Sequence, residues 1–181
     1  MYLRVAALLL LTALAGAQAS SQPGNVYRNA SLGLTYKVRY GWVDRTSQMA
    51  GDDKAGKVLL AVFERPPEAI GDTINSAVTI ASENISAYPG LKTAADYFGP
   101  VTELTKGLDL EAVNPPYEVT VGGRRLVRAD FKKEIGALTM YWTSLAMIVK
   151  DQVVSFTLVG SNEDEIEDLA GRISFAPAAN R

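Results

Sequence analysis

The densest chemistry in the chain lies in the run Arg124-Arg125-Leu126-Val127-Arg128-Ala129-Asp130-Phe131-Lys132-Lys133. On a β-strand side chains alternate, so Val127, Ala129 and Phe131 share one face while Arg128, Asp130 and Lys132 share the other. Such a cationic stripe can grip a carboxylate, a phosphate or an acidic partner, which makes Arg124, Arg128 and Lys132 the candidate partner-binding residues. The same stripe also suits a solvent-facing strand whose Asp130 pairs with its cationic neighbours.

Other chemistry-bearing residues are weaker candidates. Glu163, Asp164, Glu165, Glu167 and Asp168 crowd together, but without the glycine and alternating oxygens of a calcium loop. Carboxylates in that position suit the first turn of a helix. Asp52-Asp53 is an oxygen-only pair in a polar loop, and Ser144 and Lys150 are the residues available for a Ser-Lys dyad. Glycoside cleavage would need two carboxyl groups about 5–10 Å apart across a cleft, and the sequence singles out no pair. The chain contains no cysteine and no histidine. Disulfides, zinc sites, and Ser-His-Asp or Cys-His machinery are therefore excluded. There is no G-x-S-x-G, phosphate loop or G-x-G-x-x-G. No catalytic residue, metal ligand or cofactor is assigned.

The opening residues read as an address. Arg4 supplies a positive n-region, Val5 to Leu14 an apolar stretch too short to span a bilayer comfortably, and Ala15-Gly16-Ala17 and Ala17-Gln18-Ala19 two cleavage patterns. An export signal over 1–19 is expected, with a mature chain starting at Gln18 or Ser20. A lipid anchor on cysteine is excluded. Without Arg4 the balance is 17 Lys+Arg (18 less one) against 20 Asp+Glu, or −3. That charge gives no drive toward nucleic acid or anionic membrane. No later segment is apolar enough to span a membrane, so the expected product is soluble and periplasmic or extracellular.

These residues need a frame. A disordered leader (20–25), one domain (26–176) and a tail (177–181) are expected. Leu34, Tyr36, Val38 and Tyr40 alternate as a half-buried strand, and Tyr36, Tyr40 and Trp42 form an aromatic row that suits core or groove. Val58–Phe63 reads as a central strand and Ala77–Glu83 as another. Thr93 is placed to cap a helix running to Leu108, which Gly99-Pro100 should kink or split. Gly122-Gly123 joins Tyr117–Val121 to the basic run as a hairpin. Leu138–Val149 and Val153–Val159 continue the meander, with Tyr141 and Trp142 on opposite faces. Asn162 with Glu165 makes a capping box for a last helix, and Ile173–Phe175 a short edge strand. Asn29-Ala30-Ser31 and Asn84-Ile85-Ser86 match glycosylation sequons. A mostly antiparallel α+β sheet covered on both faces results.

Tyr27-Arg28-Asn29, then Gly33-Leu34-Thr35-Tyr36, then Gly41-Trp42, resemble the opening of the PsbP-like family, the fold of a photosystem II extrinsic subunit. The later order of middle helix, Gly-Gly hairpin, long strands and final helix is similar too. Arg39-Tyr40 departs from the proline that members often carry before Gly-Trp. Metal roles proposed in that family rely partly on histidine, so no functional residue carries over. The resemblance implies an α/β/α sandwich and a non-catalytic accessory or binding role.

The leading expectation is an exported, non-enzymatic accessory domain that meets an extracytoplasmic protein partner. One alternative is a carrier holding a small apolar or amphipathic ligand between the sheet and a broken Thr93–Leu108 helix. The second is a hydrolase using paired carboxylates.

Overall fold

The computed structural model describes residues 26–50 and 56–177. The expected export signal and leader, Asp52-Asp53, and all of the expected tail except Pro177 lie outside the described residues.

In chain order the elements are β1 (Val26–Asn29), β2 (Leu34–Lys37), β3 (Val43–Asp44), α1 (Thr46–Met49), β4 (Gly56–Phe63), β5 (Ala77–Asn84), α2 (Phe98–Gly107), β6 (Glu111–Ala112), β7 (Tyr117–Val121), β8 (Arg124–Ile135), β9 (Leu138–Val149), β10 (Gln152–Gly160), α3 (Glu163–Gly171) and β11 (Ile173–Phe175). The large antiparallel sheet runs β3-β4-β5-β10-β9-β8-β6, with β7 also on β8. A separate small sheet, β1-β2-β11, lies outside it.

Both faces of the large sheet are apolar, and each has its own core. On β10, Val154, Phe156 and Leu158 face a layer made by α3 and the small sheet, through Ile166, Leu169, Tyr36 and Ile173. Val153 and Val159 face the opposite layer, where Tyr88, Tyr97, Phe98 and Val101 cover Phe131 and Trp142. Period-two alternation feeding two cores is what strands without a polar face require. The fold is therefore α+β and three-layered, as expected. The small sheet is new: Ile173–Phe175 pairs with β2, not with the main meander.

Three local expectations are corrected. The 93–108 segment is not a kinked helix. Thr93 does make a cap, its Oγ accepting from the Asp96 N–H at 3.3 Å while Asp96 accepts from the Lys92 and Thr93 N–H groups. That cap closes a separate turn, and α2 begins only at Phe98. Pro100 then falls in the first turn, where its missing N–H has no intrahelical acceptor to lose. The aromatic row is also broken, because β2 stops at Lys37: Tyr36 and Trp42 are buried but Tyr40 is 82% exposed at a turn. Finally, β4 is covered on both faces but sits beside the two-residue edge strand β3, away from the sheet's centre.

The capping box is present, with the Glu165 N–H donating to Asn162 Oδ1 at 2.8 Å. Asn84 caps a 3-10 turn by accepting from the Ser86 N–H. Tyr141 and Trp142 do point to opposite cores.

Candidate partner-binding cleft

The β7–β8 hairpin turns through Gly122 and Gly123, at φ of 57° and 81°. Its tip does not stay with the large sheet. The Phe175 N–H donates to the Gly122 carbonyl at 3.3 Å, tying the tip to β11, and the Ala176 N–H donates to Gly33 at 2.7 Å. Drawn toward the small sheet, β8 parts from β9. Their ladder runs from Ile135–Leu138 to Val127–Ala146 and stops there, three residues short of the start of β8.

A cleft of about 470 Å³ fills the divergence, lined by Arg124, Arg125, Met147, Ile148, Val149 and Phe175 among others. Phe175 is fixed by edge-to-face contact with the core ring of Phe156, centroids 6.3 Å apart. Arg124 lies over the outer part of this assembly, its Cζ 5.1 Å from the Phe175 ring centroid. A cation–π contact supplies no hydrogen-bond acceptor to the guanidinium N–H groups. Among the described residues Arg124 has no carboxylate partner, and Arg125 has only an exposed contact to Glu118 at 3.7 Å.

The other two members of the cationic stripe are placed differently. Arg128 is clasped: its Nε donates to Asp130 at 2.8 Å and its Nη1 to Glu167 of α3 at 2.6 Å, with only 14% of its side chain exposed. Asp130 also accepts from Thr143 at 2.6 Å and Tyr117 at 2.8 Å. Burial pushes the Asp130 pKa up, but the Thr143, Arg128 and Tyr117 donors outweigh it and hold the carboxyl below its ordinary value. Burial, and then the bond to Asp130, pushes Tyr117 up to about 12. Lys132 is exposed, but eight residues along a strand put it about 26 Å from Arg124. The stripe does not converge on one site.

The carboxylate cluster of α3 is likewise tied into the fold. Arg39 donates to Glu165 at 2.7 Å and to Asp168 at 2.7 Å, and Arg172 donates to Asp168 at 2.8 Å. Asp168 is held low by the Arg172 and Arg39 hydrogen bonds. Glu165 is raised by burial but lowered further by donors from Ser161 and Arg39. A general acid needs the opposite shift. Among the described residues no cluster of carboxylates is arranged to hold a metal ion.

Ser144 is buried and accepts from the Trp142 indole at 3.1 Å. Lys150 lies at the β9–β10 turn, about 20 Å along the strand, so the dyad is not assembled. The space expected for a carried ligand, between α2 and the sheet, holds packed rings: Tyr88 meets Tyr97 edge-to-face at 5.3 Å, and Tyr97 meets Phe98 at 6.2 Å. Within that core the Tyr97 hydroxyl donates to the buried Glu83 carboxylate at 2.5 Å. Arg125 stands in the basic run but outside the Arg124, Arg128 and Lys132 stripe, and the strand divergence that gives it a role has no sequence signal, since no residue type marks a ladder that stops early.

The chain superposes on cyanobacterial PsbP (CyanoP) from Synechocystis sp. PCC 6803 with a TM-score of 0.55 at 13% identity, over 90% of this chain and 99% of that one. The Ran-binding protein Mog1p of Saccharomyces cerevisiae matches at TM-score 0.47 and 14% identity, over 83% of each chain. LpqN of Mycobacterium tuberculosis, involved in cell envelope biogenesis, matches at 0.41 and 10%, over 87% of this chain and 88% of that one. No protein-family model matches the chain, and no curated protein matches it by sequence. The fold is PsbP-like. Among the described residues no helix is long and apolar enough to cross a membrane.

Proposed function

We propose that this protein is an exported, non-catalytic accessory domain that meets a protein partner at the foot of β8. The observation that carries the reading is the open cleft between β8 and β9, with Arg124 and Arg125 at its rim and neither guanidinium neutralised by a close carboxylate. Arg128, by contrast, is committed to Asp130 and Glu167 and belongs to the scaffold. Lys132 serves any second contact farther along the strand. The lowered pKa values of the paired carboxylates favour binding over hydrolysis. A PsbP-like fold is compatible with an accessory role but does not specify one.

The test is site-specific photo-crosslinking in the native envelope. A photoreactive amino acid at position 125 should give a discrete protein adduct, and the same group at Lys57 on β4 should not. Replacing Arg124 with Ser should remove that adduct while leaving thermal unfolding within about 0.5 kcal/mol of wild type, as for other surface replacements. Equal adducts from both positions would overturn the assignment.

A further inference from the structure

The backbone around the cleft specifies what can enter it. In an antiparallel ladder, alternate residues aim their N–H and C=O groups at alternate neighbours. Val121 and Arg124 close a two-residue turn and pair directly, so Arg124 and Leu126 aim at β7, and Arg125 and Val127 aim at β9. Val149 and Gln152 close the β9–β10 turn in the same way. Met147 and Val149 therefore aim at β10, while Ala146 and Ile148 aim at β8. Because the ladder ends at Val127–Ala146, Arg125 and Ile148 face each other across the opening without the mutual pairing that the register would give them.

From this we infer that the cleft receives an extended, acidic segment of a partner polypeptide, which inserts as a short strand between the diverging ends of β8 and β9. The inference rests on the reading of this cleft as the partner-binding site and names the chemistry of the partner. Main-chain donors and acceptors on both walls require an occupant with its own alternating N–H and C=O groups, which a lipid or a free anion lacks. The guanidiniums lie on opposite faces of the sheet, Arg124 beside Phe175 and Arg125 two residues from Val127, which packs toward the α2 core. Carboxylates on adjacent residues of an extended chain leave it on opposite faces and would meet one guanidinium each. The apolar lining, Met147, Val149 and Phe175 on one face and Ile148 on the other, takes the neighbouring β-branched side chains. Since β8 and β9 run antiparallel, the inserted segment is parallel to one wall and antiparallel to the other.

The test uses a displayed library of random heptapeptides selected against the full chain, followed by synthesis of the recovered peptides. Acidic peptides with adjacent carboxylates and β-branched neighbours should be recovered. Replacing Arg124 and Arg125 together with Ser, in a protein that still unfolds cooperatively, should abolish their binding. N-methylation at peptide positions of either alternating set should weaken binding about tenfold, the loss of a main-chain hydrogen bond to one wall or the other. Recovery of no acidic peptide would overturn the inference. Binding indifferent to N-methylation at every position would overturn strand insertion but leave the cleft as an anionic-partner site. Binding indifferent to the double replacement would overturn the cleft itself.

Discussion

Gly122 lies against the backbone of Ile173 so closely that an added Cβ would sit 2.7 Å from the Ile173 carbonyl oxygen and 2.8 Å from the Ser174 Cα. Gly123, one residue on, would meet nothing within 4 Å. Both have positive φ, but only Gly122 forms the joint that carries the hairpin tip onto the small sheet and opens the cleft.

Replacing each glycine with alanine separates the two effects. Gly123→Ala should cost about 1–2 kcal/mol, the penalty of an L-residue in left-handed backbone. Gly122→Ala adds a backbone collision and should cost about 3 kcal/mol or more. It should also disturb partner capture, since the tip must move. Urea unfolding of both variants measures this, and equal costs would show that the approach to β11 is not structurally important.

Much of this frame is legible in the amino-acid sequence alone. Gly122-Gly123, the Asn162–Glu165 cap and the two-sided apolar strands each state a local rule that the tertiary structure obeys. What was not legible depends on residues far apart in sequence. Arg128 looks free on its strand because its second clasp, Glu167, comes 39 residues later. The cleft exists because β11, at the far end of the chain, holds the tip of an earlier hairpin. Thr93 gave a true cap signal, yet Asp96 used it for a turn and the helix started later. Pattern reports what a segment can do, and packing decides which neighbour it does it with.

The clasp on Arg128 predicts a strongly asymmetric response. Arg128→Gln removes the cation from Asp130, whose side chain is only 15% exposed, and should destabilise by about 3 kcal/mol. Replacing Asp130 with Asn in the same chain removes the stranded charge and should recover part of that loss. Arg125→Gln, whose Glu118 contact is long and exposed, should cost no more than about 0.5 kcal/mol. A double-mutant cycle on Arg128 and Asp130 measures the coupling, and strict additivity would contradict it.

The acidic side of the pH–stability curve follows from Asp130, Glu165 and Asp168. Their folded pKa values lie below the ordinary 3.8 for Asp and 4.5 for Glu. The unfolded chain therefore binds more protons in that range, so these groups stabilise the fold above their unfolded values and lose that contribution as pH falls through the folded ones. With no histidine in the chain, no imidazole titrates between about pH 5 and 8. Denaturant unfolding stepped from pH 7 to pH 3 should show little change above about pH 5.5 and a steep loss below about pH 4.5. Asp168→Asn should flatten part of that loss. A transition centred near neutrality would assign stability to some other group.

Gly99 and Pro100 distinguish a first turn from a kink. In a bent helix, glycine supplies the bend and its replacement strains the structure. Here Gly99 follows the first residue of α2, is exposed, lacks positive φ, and would place a Cβ in open space. Before a proline a Cβ in helical backbone crowds the ring, so the comparison is made with Pro100 replaced by Ala. In that background Gly99→Ala should stabilise by about 0.5–1 kcal/mol, through higher helix propensity and a less flexible unfolded chain. Pro100→Ala should change stability by no more than about 0.5 kcal/mol, because proline in a first turn gives up no intrahelical hydrogen bond. Thermal unfolding of Pro100→Ala and of the double variant decides the point. Destabilisation by Gly99→Ala in the Pro100→Ala background would mean that this position bends the chain.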